Sequence, residues 1–282
     1  MQKWFAIALV LFSVSFVACN LENEIELELP AYQSKYVVEC YLEPGQAFNL
    51  LLTRSDAYFN AFPTLDDQFL ENILVDDAVV TIKYKDETHV LQNGLFFNPI
   101  TFKLFNYSVT DLVPEDYETP FQLEIQTPDG NLITAETKLL PVVSIDSVVV
   151  QRAQNQDGAR VLTYFNDDPN QTNFYRRMLH LNSLRDSVPE QDFAVTDRLA
   201  EESTFVFGTG YDYFPGDTIY NTLLHISPEY YDFLSSVQGA AGSNGNPFAQ
   251  PGKIISNVKG EGDPIGIFTG IAVDRVETII EE

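Results

Sequence analysis

Apolar residues recur at every second position through much of this chain, and that period fixes the kind of backbone it can adopt. In "PFQLEIQTPDGNLITAETKLLP", residues 120–141, two alternating runs flank Pro128-Asp129-Gly130. Successive side chains of a strand point to opposite faces, so each run has an apolar and a polar side. A glycine between two such runs supplies the positive φ of a tight turn, and the segment reads as a β-hairpin. The same period marks "IELELP", with Ile25, Leu27 and Leu29 on one face, then "KYVVECYLE" and, after Pro44-Gly45, "AFNLLLTRS". It continues in "DDAVVTIKYKDETHVLQNG", with a polar break at Asp86-Glu87 and a turn at Asn93-Gly94. Strands about 8–12 residues apart with little helical periodicity predict an immunoglobulin-like β-sandwich over residues 24–141.

In "LLPVVSIDSVVV" Pro141 ends one strand and a β-branched run begins at Val142, which places a domain junction there. Residues 142–282 read as a second β-rich domain, with strands in "IDSVVVQR", "RVLTYFN", "NFYRRMLHLN", "STFVFG" and "TIYNTLLHIS". One short helix is expected near 228–238. Ser227 suits the N-cap, Pro228 the first helical position, and Tyr230, Phe233, Leu234 and Val237 recur at helical spacing until Gly239. The chain closes with "KIISNVKG" and "PIGIFTGIAVDRVETII", two or three last strands. The expected fold class is thus mainly β, a sandwich followed by a β-rich domain with one helix.

The first residues follow a different pattern. "MQKWFAIALVLFSVSFVA" carries Lys3, then an apolar stretch and a small residue, Ala18, before Cys19. This is the organisation of a cleaved export signal over residues 1–18, too short for a comfortable membrane span. Phe16 to Cys19 resemble a bacterial lipobox, with Phe16 where Leu is usual, so Cys19 is the expected lipidation site and residues 19–23 an acylated tether. A plain secretory signal with an incidental cysteine is the alternative. Two or three acyl chains bury about 0.8 kcal/mol per methylene, enough to hold a protein stably at a membrane. Cys40 then lacks a disulfide partner, and its place on the Val38–Leu42 face of "YVVECYLE" gives it the role of a small buried apolar residue.

The chain has 16 basic and 41 acidic side chains, a formal charge of -25. Phosphate would repel it, which excludes nucleic acid as a partner and binding to anionic lipid by charge alone. His89, His180 and His225 are far apart and in no ligand spacing, so no metal site is expected. No nucleophile elbow, phosphate loop or calcium loop is present, so no catalytic residue and no cofactor are assigned. Two aromatic-rich segments are candidate binding loops: residues 55–72, with Tyr58, Phe59 and Phe62, and residues 207–217, with Tyr211, Tyr213 and Phe214. Exposed rings on loops stack on sugars or anchor proteins, or else they cover the ends of the cores. Alternation sends Arg176 and Arg177 to opposite faces, with a salt bridge to the acidic surface as their expected use. Asp146-Ser147-Val148, Asp186-Ser187-Val188 and Asp217-Thr218-Ile219 resemble acceptor triplets for O-glycosylation in the Bacteroidota envelope.

The lipobox-like start, "YVVECYLEPGQAFNLLLTRS", "DDAVVTIKY", "IQTPDGNLITAETKLLPVVSIDSVVV", "DPNQTNFYRR" and "NPFAQPGKIISNVKGEGDPIGIFTGIAVDRV" together resemble the Bacteroidota lipoprotein family catalogued as domain of unknown function 4249. Cys40, where a small residue is usual, and the longer "KGEGDPIGIF" depart from the pattern. The resemblance implies a non-enzymatic outer-membrane lipoprotein, an accessory or binding subunit associated with a TonB-dependent receptor or another envelope complex. Glu22, Glu24, Glu26 and Glu28 after Cys19 resemble a surface-export signal, which favours the cell-surface face. The alternatives are a surface hydrolase of glycan or peptide and a structural or adhesive surface protein.

Overall fold

A computed structural model describes residues 33–55, 72–98, 103–154, 158–185, 188–198, 203–243 and 252–282. The first run, "IELELP", and the signal-like start of the chain lie outside them. In order, the elements are β1 (Tyr36–Leu42), β2 (Ala47–Arg54), β3 (Val79–Tyr84), β4 (Glu87–Phe97), β5 (Leu104–Leu112), β6 (Phe121–Gln126) and β7 (Leu132–Thr137). There follow β8 (Ile145–Arg152), β9 (Ala159–Asn166), β10 (Phe174–Leu181), β11 (Gln191–Thr196), β12 (Thr204–Gly208), β13 (Thr218–Ile226), α1 (Pro228–Ser243), β14 (Lys259–Gly260) and β15 (Ile265–Ile279). The chain is mainly β, arranged as stacked sheets.

Twelve strands form one sheet in the order β11-β10-β13-β15-β1-β2-β5-β4-β3-β6-β7-β14, and β12-β9-β8 form a second. Two strands carry the long sheet from layer to layer. The first part of β4 pairs with β3 (Val80↔Leu91 to Tyr84↔Glu87), and its second part pairs with β5 (Gln92↔Ser108 to Phe97↔Leu104). The sheet folds over at that switch, and β1, β2 and β5 face β3, β6 and β7 across a core built on Val38, Leu50, Phe48, Phe121, Leu123 and Ile82. The expected turn at Asn93-Gly94 is therefore a correction: the strand runs through it with a register shift between Asn93 and Phe96. Asn93 Nδ2 donates to the Asn106 carbonyl over 3.2 Å, tying the irregular stretch to β5 instead of reversing it.

The second carrier is β15. Its first residues pair in parallel with β1 (Val37↔Ile265 to Leu42↔Gly270), and the rest pairs antiparallel with β13 (Ile226↔Ile271 to Thr218↔Ile279). The expected junction at 141/142 falls between β7 and β8, while β15 links the strands on either side of it. Residues Ser34–Glu282 form one compact unit. In the later half, the β12-β9-β8 sheet packs on β10, β13 and β15 through Phe165, Tyr175, Leu223 and Ile145, and through Val161, Leu179 and Ile219.

The other face of β10, β13 and β15 receives α1, whose Tyr230 packs with Phe174, Leu224, Ile226 and Ile267. Ser227 caps the helix, its Oγ accepting from the Tyr230 amide over 3.2 Å. The helix runs to Ser243, past the expected stop at Gly239, because Ala240 and Ala241 restore helix propensity after that glycine. The 120–141 hairpin forms as β6 and β7, with Gly130 at φ +87 and its amide donating to the Thr127 carbonyl over 2.9 Å.

Candidate functional site

Three groups of polar side chains stand out, each placed by strand alternation or by a loop. The first closes one end of the later sandwich, where the segments after β9 and β11 meet. Asn173 holds two carboxylates together: its amide N donates to Asp197 Oδ2 over 2.8 Å, and its Nδ2 donates to Asp167 Oδ1 over 2.8 Å. Tyr175, buried beside them, also donates to Asp167 Oδ1. Through these two bonds Asn173 brings Asp197 beside Asp167. Burial, and then the neighbouring Asp197, hold the Asp167 carboxyl above the usual range, against the hydrogen bond from Tyr175. Asp197 is 9% exposed and its Oδ1 has no partner among the described residues. His225 stacks on Tyr175 with ring centroids 5.4 Å apart, and burial lowers its pKa.

The second group comes from alternation in β10. Arg176 turns outward and forms a two-pronged pair with Asp192, at 2.7 and 2.6 Å, while its Nη1 donates to Tyr230 Oη of α1 over 2.6 Å. Arg177 turns inward between the sheets. The opposite faces agree with the alternation; the expected salt bridge is made by Arg176 alone, and Arg177 has an amide as its hydrogen-bond partner, Asn221 Oδ1 at 3.2 Å. β10 is covered on both faces, so one of two adjacent arginines had to enter the core.

The third is an open cleft of about 590 Å³ between the outer face of β6 and β7, the first turns of α1 and the stretch Ile255–Lys259. Its floor carries Gln122, Glu124, Thr134 and Glu136, the outward members of the hairpin's alternation, and its walls carry Glu229, Asp232, Asn257 and Lys259. Glu124 pairs with Lys83 at 2.6 Å. Glu229 and Asp232 sit at the N-terminal end of α1, where the helix dipole favours negative charge. The volume falls in the usual range for ligand sites.

Of the residues singled out from sequence, Cys19, Tyr58, Phe59 and Phe62 lie outside the described residues. Phe214 is 53% exposed and Tyr211 39% exposed, with the Arg160 guanidinium 5.1 Å from the Tyr211 ring. Tyr213, between them, turns into the core with Val161 and Ile219. The two rings that reach solvent do not join the cleft. Cys40 is fully buried, and burial pushes its thiol far above the usual range. Asp146 and Ser147 are exposed on β8, Thr218 is half-buried, and Asp186 and Ser187 lie outside the described residues. Among the described residues, no group of three or more His, Cys, Asp or Glu is placed to hold a metal ion, and no helix is long and apolar enough to cross a membrane. The carboxyl pair was missed from sequence, and Arg177, expected in a salt bridge, bonds to Asn221 instead. Asp167 was visible only as part of a polar loop, and Asp197 belonged to no motif.

Fold and surface together define a mainly β protein whose sheets are stitched by two layer-crossing strands and which carries an open cleft lined by both polar and apolar side chains. The chain belongs to the family described as Domain of unknown function (DUF4249), whose model matches residues 22–277. No curated protein matches it.

Proposed function

We propose that this chain is a non-enzymatic binding or accessory subunit, lipid-anchored through Cys19 at the outer membrane on its cell-surface face, serving a TonB-dependent receptor or another envelope complex. The observation that carries the binding role is the cleft: about 590 Å³, open, and floored by a hairpin rather than by mobile ends. Polar side chains on regular strands and a helix are held in place by their backbone, which suits recognition of a partner's polar surface. The signal-like start and Cys19 support the anchor.

The test is affinity capture of the full chain from native membranes, with Glu136→Lys/Asp232→Lys as the cleft variant. Wild type is expected to recover a receptor-type barrel, and the variant at least tenfold less at an unchanged melting temperature. Recovery of no envelope protein by wild type refutes the accessory role. Intact-mass analysis of the same material is expected to show a chain beginning at an acylated Cys19. A second reading, a surface hydrolase of glycan or peptide, has one observation in its favour, the Asp167–Asp197 pair in unequal surroundings. Release of sugar or peptide ends that Asp197→Asn abolishes would favour it.

A further inference from the structure

Inside the later sandwich lies a charge that no ion pair among the described residues balances. Arg177 is 1% exposed. Its Nη2 donates to Asn221 Oδ1, which also accepts from Thr163 Oγ1 over 2.9 Å, so that oxygen is fully used. Arg177 Nε, Arg177 Nη1 and Asn221 Nδ2 have no acceptor among the described residues. All three are donors, on two side chains that touch. Burial pushes the guanidinium pKa down only to about 10, with the Tyr213 phenol opposing the shift, so the group is charged at neutral pH. The Phe207 ring, 5.6 Å from the guanidinium carbon, closes one side. A buried charge that lacks both a counter-charge and acceptors is strongly unfavourable.

We propose that Arg177 and Asn221 form a binding site, between the two sheets, for a small monovalent anion of halide or formate size. The ligand is small because the donors lie in a packed layer between Thr163, Phe207 and Tyr213. It is anionic because a neutral acceptor leaves the guanidinium charge uncompensated, whereas one anion accepts from several of the bare N–H groups at once. The acidic excess of the chain, -25 overall, repels anions from its surface. Saturable anion binding therefore reports an interior site.

The test uses the full chain in sodium methanesulfonate at constant ionic strength, with bromide or formate substituted stepwise and the melting temperature followed. Wild type is expected to rise with the logarithm of anion concentration, by about 5 °C at a concentration about a hundred times the Kd. Arg177→Met is expected to stay flat. Asn221→Asp, which places a carboxylate beside the guanidinium, is expected to stay flat as well and keeps the test informative if Arg177→Met does not fold. A response to formate alone identifies a carboxylate ligand, and a response to both identifies a halide-sized site. No rise in wild type, or an equal rise in Arg177→Met, overturns the proposal. Bromide-soaked crystals are expected to show an anomalous peak beside Nε and Nη1 of Arg177, and a peak only elsewhere also overturns it.

Discussion

Asp167 and Asp197 are thirty positions apart in the chain and share one amide partner, Asn173, in the fold. Their closeness has a pH signature. The native Asp167 carboxyl holds its proton above the pH at which an unfolded aspartate, near 3.9, loses it. Between those two values the native state binds more protons than the unfolded state, so stability falls as pH rises through the native value. Tyr175, Asp168 and His225 face the pair, and His225, with its pKa lowered by burial, works in the opposite sense, losing stability as pH falls below the ordinary histidine range. Asp167→Asn is expected to remove the fall that sets in above about pH 3.9, by up to about 1.4 kcal/mol per pH unit at its steepest, leaving the His225 limb in place. Urea denaturation from about pH 3 to 8 checks it; an unchanged fall in Asp167→Asn means that the fold does not hold the Asp167 proton. None of this was legible in sequence, since proximity of Asp167 to Asp197 depends on where the loops after β9 and β11 return. What could be read was the alternation at Arg176-Arg177. It sorted their faces correctly but could not say that one face was closed by a second sheet.

At the scale of elements, local rules succeeded where the chain is locally consistent. The Pro128-Asp129-Gly130 hairpin formed as read because turn chemistry and the alternation on both sides agree. The start of α1 was equally legible, and its cap can be tested. Ser227→Ala removes the acceptor for the Tyr230 amide and is expected to cost about 1 kcal/mol in chemical denaturation, while Ser227→Asp is expected to be near neutral. A loss under about 0.3 kcal/mol in the alanine variant would mean that packing alone sets the helix start. The end of α1 and the middle of β4 were misread because Gly239 and Asn93-Gly94 are stop signals by propensity that their surroundings override. Ala240 and Ala241 carry α1 past its glycine, and β5 pairs with β4 beyond Gly94.

For the molecule as a whole, alternation predicted stacked sheets but not their connection. "KIISNVKG" and "PIGIFTGIAVDRVETII" read as two or three last strands, and they hold the short β14 and one long strand, β15, whose change of partners midway the alternation did not show. Nothing local encodes that choice, because β1 lies at the far end of the sequence. One residue does make it possible. Gly266 has φ +138, and a Cβ there would meet the Val38 carbonyl oxygen at 2.0 Å. Gly266→Ala is expected to destabilise the chain by at least about 3 kcal/mol, from backbone strain together with displacement of β1. Loss of amide protection in both β1 and β13 by hydrogen exchange would show that β15 couples the two halves, and loss confined to β1 would show that they unfold separately.

The β1–β15 pair also imposes an order of events on biosynthesis. A chain made from its N-terminus completes β1 long before the parallel neighbour of that strand, Ile265–Gly270, leaves the ribosome. Until then one edge of β1 offers free N–H and C=O groups to any other nascent strand, the condition under which β proteins mispair and aggregate. A chain that stops short of Ile265 keeps that edge open for good. Quality control that holds such chains extended until the C-terminus arrives is therefore as much a requirement of this topology as any core residue.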